Sequence, residues 1–365
     1  MAGLYIHIPY CRSKCIYCDF YSHTGLSEME KTVNGLIQEY KYRRKEIKEH
    51  FTTIYIGGGT PSVLPLDLLE RLVKELDKND VTEFTIEANP DNINPEVVRG
   101  WKALGINRVS LGVQTLNDRV LKSIGRRHTS KQAIDAINVI NDSGITNISA
   151  DLIYGLPGID EKDWEHDLAT LLSTPIKHLS AYCLTYNEGT MLYKMWQQGR
   201  VRPADDEEIE IRFNTLRQLT AEAGFEHYEI SNFALPGFRS RHNSSYWSPD
   251  SKWLGIGPSA HSFDGSVRRI DIPDTKTWHE KLPYPCETDP ENILDMVNDY
   301  IVTGLRTIDG LELERIPTNY RTMLLEYASK FINEGSVILK NGRMSINPEK
   351  WLISDSYIRE LIIVE

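Results

Sequence analysis

The sequence lacks any apolar run long enough to cross a membrane as a helix. Such a helix needs about 18–20 consecutive apolar residues, whereas the apolar stretches here have the length of single strands. The N-terminus also lacks the basic start and the apolar stretch of a secretory signal. We therefore expect a cytoplasmic protein without a transmembrane helix, which leaves peripheral contact with a membrane open.

Positive charge is in deficit as well. The 365 residues include 41 Lys and Arg against 52 Asp and Glu, which gives a formal net charge of −11. Proteins that bind free nucleic acid present a net basic face to the phosphates, so we expect no nucleic-acid partner. Two short basic clusters, at residues 41–45 and 126–128, run against this balance. We interpret the first as the solvated face of a helix.

Cysteine is scarce, and its distribution is uneven. Three of the five cysteines, Cys11, Cys15 and Cys18, fall within a stretch of eight residues. An odd number clustered in this way does not suit the disulfide framework of a small secreted protein, and it indicates a metal site in a reducing compartment. Thiolates are the usual ligands of iron–sulfur clusters. Three of them can hold three irons of a [4Fe–4S] cluster and leave the fourth iron open.

Two alternatives to a cluster stay open at this point. A zinc site would need a fourth ligand, for which His7 and His23 are the nearest histidines, although neither has the spacing of a zinc finger. The three thiols could also be accidental neighbours. We expect the other two cysteines to be bystanders, Cys183 as a small buried side chain within a strand and Cys286 as a loop thiol.

The first 235 residues alternate strand and helix patterns. Strands are predicted at residues 4–8, 53–56, 83–88, 108–113, 148–154 and 178–184, each followed by a helical stretch. Consecutive βα units imply parallel strands joined by right-handed crossovers. The pattern predicts a complete or incomplete α/β barrel in residues 1–235, with strands that are apolar on both faces, as buried parallel strands usually are.

The rest of the chain has a different texture. Residues 236–289 are rich in Gly, Pro, Ser, Trp and His with little periodicity, and we expect an irregular connecting segment. In residues 290–365 helical patterns return at 292–305, 311–316 and 320–334. The turn signal Asn341-Gly342 then predicts a β-hairpin. Three helices and a hairpin indicate a small α+β module that resembles a winged helix.

Polar groups follow the predicted strands of the barrel. The cysteines follow the first strand and residues 57–61 (Gly-Gly-Gly-Thr-Pro) follow the second, while Glu87, Gln114 and Asp151 lie at the ends of the next three. Each of these has an ordinary structural interpretation, as a turn or a helix cap. In barrel enzymes, however, the chemistry lies at this rim, and glycines let the backbone approach a ligand closely. Their shared placement predicts one polar ligand across the barrel mouth.

These segments together resemble a known family. The spacing Cys11-x3-Cys15-x2-Cys18, with Tyr17 before the last cysteine, is similar to the signature of the radical S-adenosylmethionine (SAM) superfamily. Residues 4–11 (LYIHIPYC), 57–61, 110–114 (SLGVQ) and 151–157 (DLIYGLP) resemble one branch of it. That branch contains the oxygen-independent coproporphyrinogen III oxidases and the HemW-type heme chaperones, and the resemblance covers essentially the whole chain.

The resemblance implies a partial (β/α)6 TIM-like barrel, a [4Fe–4S] cluster on the three cysteines, and SAM on the open iron. It leaves open whether this chain cleaves SAM. It also implies nine contacts to SAM. Tyr5 would pack beside the cluster, and the backbone near Tyr17 would contact the adenine. Gly58, Gly59 and Thr60 would border the methionine moiety of SAM, and Glu87 would bind its polar groups. Gln114 and Asp151 would hold the ribose region, and Arg126 would offer its guanidinium to a carboxylate. Arg126 is preferred to Arg127 by its position in the motif.

Two departures favour the chaperone side of the branch. The oxidases carry a further cysteine two residues after the third cluster cysteine, where this chain has Phe20. They also carry an extension before the first strand, where this chain has three residues. The resemblance therefore leads us to expect no coproporphyrinogen oxidase activity.

A third feature points to heme. His242-Asn-Ser-Ser-Tyr246 looks like the His-Asn-x-x-Tyr motif that accompanies the chaperones. His and Tyr are both recognised axial ligands of heme iron, although the same residues could form an ordinary packed loop. We expect a heme chaperone that delivers heme to acceptor hemoproteins. The alternatives are a coproporphyrinogen III oxidase and a radical enzyme that modifies RNA, which the negative charge disfavours.

Overall fold

A computed structural model of the protein describes residues 2–280 and 284–364. Six parallel strands form the centre of its main sheet and neighbour one another in chain order. They are β1 (Ala2–Ile8), β2 (Phe51–Gly58), β3 (Glu83–Ala88), β4 (Arg108–Gln114), β5 (Asn147–Tyr154) and β6 (His178–Cys183). Since the sheet does not close on itself, the predicted partial barrel is confirmed.

Helices follow these strands and cover one face of the sheet. They are α1 (Met29–Arg43), α2 (Leu66–Lys74), α3 (Pro95–Ala103), α4 (Asp118–Ser123), α5 (Ser130–Asp142), α6 (Glu161–Leu172), α7 (Met191–Gln197) and α8 (Asp206–Glu222). Their ends follow local chemistry: Thr129 caps α5 in a reciprocal pair with Gln132, and Asp205 caps α8 with Glu208. In the described parts of the chain, no helix has the length and apolarity to cross a membrane.

The two faces of the central strands differ, which corrects the expectation that both are apolar. Side chains that face the helices belong to the hydrophobic core, among them Ile54, Ile56, Ile86, Leu111, Leu152 and Ala181. The alternate positions carry polar side chains that line a cavity, among them Tyr55, Glu87, Ser110, Asp151 and Ser180. Successive strand residues point to opposite faces, so a hollow, polar barrel interior requires this alternation.

The segment from 236 to 289 contains more regular structure than its composition suggests. It holds α9 (Arg241–Ser245), β9 (Lys252–Ile256), β10 (His261–Phe263), β11 (Val267–Asp271) and α10 (Thr275–Glu280), and β12 (Cys286–Pro290) crosses its end. The expectation of an irregular segment was therefore wrong. The strands are too short to show periodicity, and they form because β9 pairs in parallel with β1.

Both ends of the main sheet are extended in this way. β7 (Glu226–Glu229) and β8 (Asn232–Ala234) add to β6 with antiparallel pairing. Within the described residues the sheet has twelve strands in the order β12-β11-β10-β9-β1-β2-β3-β4-β5-β6-β8-β7. Where the domains divide, at residues 235 and 289, stays a prediction.

The C-terminal residues contain three helices and a second sheet in the order β13-β15-β14. The elements are α11 (Ile293–Gly304), β13 (Leu311–Glu312), α12 (Thr318–Asn333), β14 (Val337–Lys340), β15 (Arg343–Ile346) and α13 (Ser354–Leu361). β14 and β15 pair around Asn341 and Gly342, whose φ angles of 53° and 74° suit the predicted turn. The helix predicted at 311–316 is instead β13 followed by a 3-10 turn at Leu313–Arg315.

The basic cluster at residues 41–45 is not a uniformly solvated face. Arg43 is fully buried at the end of α1, where its Nη1 lies 3.0 Å from Glu39 and 3.1 Å from Asp271. It also donates to the carbonyl of Gly255 on β9. The sequence could not reveal this, because Asp271 and Gly255 lie more than 200 residues away and arrive only with the added strands.

Candidate functional site

A cavity of about 490 Å³ lies at the carboxyl ends of the central strands. All three clustered cysteines line it, together with eight of the nine residues predicted to contact SAM: Tyr17, Gly58, Gly59, Thr60, Glu87, Gln114, Arg126 and Asp151. Tyr5 does not line the cavity. Its ring stacks on Tyr55 with centroids 6.2 Å apart, and its hydroxyl is 3.0 Å from His7 Nδ1.

The cysteine loop is fixed to the barrel through its backbone. The Cys11 amide donates to the His23 carbonyl at 3.0 Å, and the Ile16 amide donates to the Ile124 carbonyl at 3.1 Å. Thr60 Oγ1 lies 3.4 Å from Cys11 Sγ. Burial raises the pKa of the Cys18 thiol to about 11. A thiol in such surroundings is a weak nucleophile at neutral pH, and it gains most from coordination to a metal, which stabilises the thiolate.

The arrangement fits a cluster better than a single zinc ion. Among the described residues, no three His, Cys, Asp or Glu side chains converge as the ligands of one metal ion must. His7 bonds through Nε2 to the Tyr21 carbonyl at 2.9 Å, and His23 bonds through Nε2 to Thr275 Oγ1 at 3.4 Å. Three thiols that share a cavity without meeting at one point suit ligands to three separate irons.

The glycine segment after β2 brings backbone into the cavity wall. Gly58 has φ +108°, and a Cβ there would lie 2.6 Å from the His7 ring. A Cβ on Gly59 would lie 2.7 Å from the Tyr10 carbonyl oxygen. Neither position accepts a side chain without displacing its neighbour. The segment therefore forms a cradle in which a ligand can approach the main chain.

Two buried carboxyl groups face the cavity. Glu87 accepts hydrogen bonds from the Tyr55 hydroxyl at 2.8 Å and the Gly58 amide at 3.0 Å. Burial raises its pKa to about 7, and the nearby Asp151 adds to the shift. Asp151 accepts from Ser110 Oγ at 3.1 Å, and burial raises its pKa to about 6. Perturbed carboxyls in a cleft are typical of binding sites, and polar ligand groups that donate hydrogen bonds would stabilise both as carboxylates.

The far side of the cavity holds Gln114 and Arg126. Gln114 ends β4 with φ 70°, a conformation rare outside glycine and often found at functional sites. Arg126 Nη2 donates to Asn89 Oδ1 at 2.7 Å and to the Gly112 carbonyl, and Nη1 lies 3.8 Å from Cys15 Sγ. Its buried Nε has no partner among the described residues. Arg127 also lines the cavity and pairs with Asp91 at 3.2 Å, and the choice between the two arginines stays a prediction.

Several cavity residues escaped the sequence-based prediction. They are Tyr55, Asn89, Ser110, Ser180 and Tyr182. The signal that could have found most of them is the polar–apolar alternation along each strand. Cys183 also lines the cavity and is exposed, so its prediction as a buried side chain was wrong, because β6 ends there at the open mouth.

The two residues predicted to bind heme lie elsewhere. His242 is buried in α9 at the opposite end of the barrel from the cysteines, and its Nδ1 is 2.8 Å from Thr53 Oγ1 near the start of β2. Its Nε2 is 2.8 Å from the Tyr246 hydroxyl, and burial lowers its pKa to about 3. Between them in the motif, Asn243 lines the cavity. The motif thus closes the inner end of the same cavity.

Comparisons with known proteins show the family to which the chain belongs. The radical SAM superfamily model matches residues 5–171. The heme chaperone HemW of Lactococcus lactis is 33% identical over 354 residues, 94% of this chain and 92% of that protein. HemW of Bacillus subtilis is 34% identical, over 88% of this chain and 87% of that protein.

Among solved structures, the coproporphyrinogen III oxidase HemN of Escherichia coli superposes with a TM-score of 0.86 over 99% of this chain and 90% of that chain. At 20% identity, this likeness establishes the fold alone. The HemW relatives match at higher identity and over nearly their full length. The chain belongs to the HemW family, within the radical SAM superfamily.

Proposed function

We propose that the protein binds heme and passes it to an acceptor hemoprotein, on a scaffold that also holds a [4Fe–4S] cluster and SAM. The observation that carries this proposal is the near full-length similarity to curated heme chaperones. The sequence His242-Asn-x-x-Tyr246 supports it, because it provides two residue types that ligate heme iron.

The cavity supplies the residues for the two other groups. We assign Cys11, Cys15 and Cys18 to the cluster, and the cradle at Gly58, Gly59 and Thr60 to the methionine moiety of SAM. In the radical SAM superfamily, the bound cluster and SAM together supply the reductive cleavage of SAM. The chain itself binds, orients and shields the ligand.

The remaining assignments follow from the charges and donors around the cavity. Glu87 would accept hydrogen bonds from the polar groups of SAM. Gln114 and Asp151 would hold its ribose, and Arg126 would bind a carboxylate with its remaining donors, among them Nε, which has no partner among the described residues. Tyr17 lines the cavity beside Cys18, and its backbone would contact the adenine. Tyr5 would contribute indirectly, by stacking on Tyr55, which lines the cavity.

The same proposal gives the compartment and the partners. Three cysteines can serve as cluster ligands only in a compartment where they are not oxidised to disulfides. We therefore expect the protein to act in the cytoplasm. Its partners would be heme and hemoproteins that accept heme, and we expect no nucleic-acid partner at a net charge of −11.

An anaerobic heme titration of cluster-loaded protein tests the function. We expect a saturable change in the Soret band that is weakened in His242→Ala and in Tyr246→Phe. No saturable change would refute heme binding, and an undiminished change in both variants would refute the motif as the heme site.

An assay for coproporphyrinogen decarboxylation, run on the same preparation with SAM and reductant, separates the chaperone from the oxidase. We expect no vinyl product, since Phe20 stands where the oxidases have a cysteine. Phe20 is 66% exposed at the cavity rim. Phe20→Cys therefore introduces the cysteine of the oxidases without disturbing the core, and it tests whether this residue accounts for the missing oxidase activity. Product from the unaltered protein would overturn the chaperone proposal in favour of the oxidase.

A further inference from the structure

The imidazole that is proposed to meet heme iron is fully engaged in this conformation. His242 is 1% exposed. Thr53 Oγ1 and the Tyr246 hydroxyl lie 2.8 Å from its two ring nitrogens. The ring also stacks on Tyr55, with centroids 5.1 Å apart and planes inclined by 24°. Histidine ligates a metal through the lone pair of a ring nitrogen, and neither nitrogen is free here.

Glu83 fastens the helix that carries this histidine. It is the first residue of β3 and is 3% exposed. Its Oε2 accepts from the Arg241 amide at 2.9 Å, and its Oε1 accepts from the His242 amide at 2.9 Å. Amides at the start of a helix have no partner within the helix, and a carboxylate forms strong, charge-assisted bonds with them. Glu83 therefore ties the backbone of His242 to the sheet.

The other contacts of α9 show which movement would free the ring. α9 has five residues, and its Ser240 cap is held by the Tyr228 hydroxyl, 3.3 Å from the Ser240 amide. Asn243 faces the cavity, so the helix closes that cavity from below. A shift of α9 away from β3 would break both bonds to Glu83 and withdraw the ring from Thr53.

We propose that Glu83 is a positioning residue that controls access of heme iron to His242, and that heme ligation requires α9 to leave Glu83. This inference rests on the proposed heme-binding function. If only the released form binds, the apparent dissociation constant is the intrinsic constant divided by the released fraction. Weakening the bonds to Glu83 then increases heme affinity. Substitution of a residue with a purely structural role does not increase it.

The test is a hemin titration of Glu83→Gln. We expect about a ten-fold lower apparent dissociation constant, from the loss of one charge-assisted bond, with faster association and the wild-type Soret position. The gain should vanish in the Glu83→Gln/His242→Ala double variant. Glu83→Asp, which keeps the charge but has a shorter reach, should give a smaller gain and serves if the first variant does not fold.

Asp167→Asn is the matched control. Asp167 is also a buried carboxylate, and it accepts from Thr115 Oγ1 at 2.5 Å and from the Leu116 amide at 3.0 Å, on α6 and away from the motif. We expect its heme affinity to equal that of the wild type. Unchanged or weaker heme affinity in both Glu83 variants would overturn the proposal.

A second measurement does not depend on heme. Diethyl pyrocarbonate modifies accessible histidines, and mass spectrometry locates the modified site. We expect His242 to be protected in the heme-free wild type and in Asp167→Asn, and to be modified faster in both Glu83 variants. Equal protection in all of them would overturn the control by Glu83. Failure of the wild type to bind hemin would instead refute the proposed function, and the labelling would still decide the role of Glu83.

Discussion

The two ends of the barrel differ in whether their polar side chains face an open cavity. At the cysteine end, Glu87 and Asp151 are hydrogen-bonded carboxyls that line the cavity, and Arg126 keeps a buried nitrogen without a partner among the described residues. At the opposite end, both ring nitrogens of His242 and both oxygens of Glu83 are hydrogen-bonded. Buried polar groups are normally paired. Paired groups that line a cavity can exchange partners with a ligand, whereas the packed groups at the opposite, closed end cannot do so without movement.

The largest expected effect would break the cysteine end altogether. Cys18→Ser removes one of three proposed cluster ligands, and we expect it to lose nearly all cluster iron after anaerobic reconstitution. Cys183→Ser is the matched control, since Cys183 lines the same cavity and is outside the motif. Iron and sulfide analysis checks both. Equal iron in the two variants would contradict the assignment of Cys18.

A second test uses the raised pKa of Glu87. The pKa rises from 4.5 to about 7 on folding, so the folded state binds more protons between these values. The contribution of this carboxyl to the free energy of unfolding should therefore fall as pH rises from about 4.5 to about 7, by up to about 3 kcal/mol. Asp151 and other buried carboxyls contribute to the same slope, so Glu87→Gln should make it smaller than in the wild type, whereas Glu165→Gln, at an exposed position, should leave it unchanged.

Urea unfolding of SAM-free protein across this pH range measures the effect. If the slope in Glu87→Gln equals that of the wild type, the burial of this carboxyl does not stabilise its protonated form.

A third test sharpens the contrast at the closed end. Tyr246→Phe deletes the hydroxyl bonded to His242 Nε2 and leaves a buried ring nitrogen unpaired. The expected cost is about 1–3 kcal/mol of the free energy of unfolding. Tyr42→Phe changes a side chain that is 51% exposed and should stay within about 0.5 kcal/mol of the wild type. Similar losses in the two variants would show that His242 is not held as described.

The smallest expected effect concerns the glycine cradle. Gly58→Ala places a Cβ against His7 at a positive φ and should weaken SAM binding by about ten-fold. Gly189→Ala imposes a similar φ strain, at +89°, where nothing lies within 4 Å, and it should leave SAM affinity unchanged. Equilibrium dialysis with SAM compares them. Equal affinities would remove Gly58 from the ligand cradle.

Much of the cysteine end could be predicted from the sequence. The cysteines and the glycines stand in continuous motifs, and the strand ends that carry Glu87, Gln114 and Asp151 meet at one rim because parallel strands share a direction. The polar alternation that identifies Ser110 and Ser180 was also present in the sequence, but an expectation of strands apolar on both faces obscured it.

The closed end could not be predicted in the same way. His242 and Tyr246 were found as a motif, but their partners Thr53 and Glu83 lie about 160 to 190 residues away along the chain. Short strands such as β9 form only because β1 offers an unpaired edge, which composition does not reveal. Cys183 was misplaced for a related reason, since burial at a strand end depends on what covers it.

The sequence by itself determined the family, the barrel order and the residues around the cysteines, because these depend on local spacing and on the direction of the strands. Only the tertiary structure decided that the heme motif is folded inward, with its imidazole held between Thr53, Tyr55 and Tyr246. Such contacts depend on which distant residues meet at the closed end of the barrel. The free energy of burying and hydrogen-bonding these groups is a property of the assembled fold.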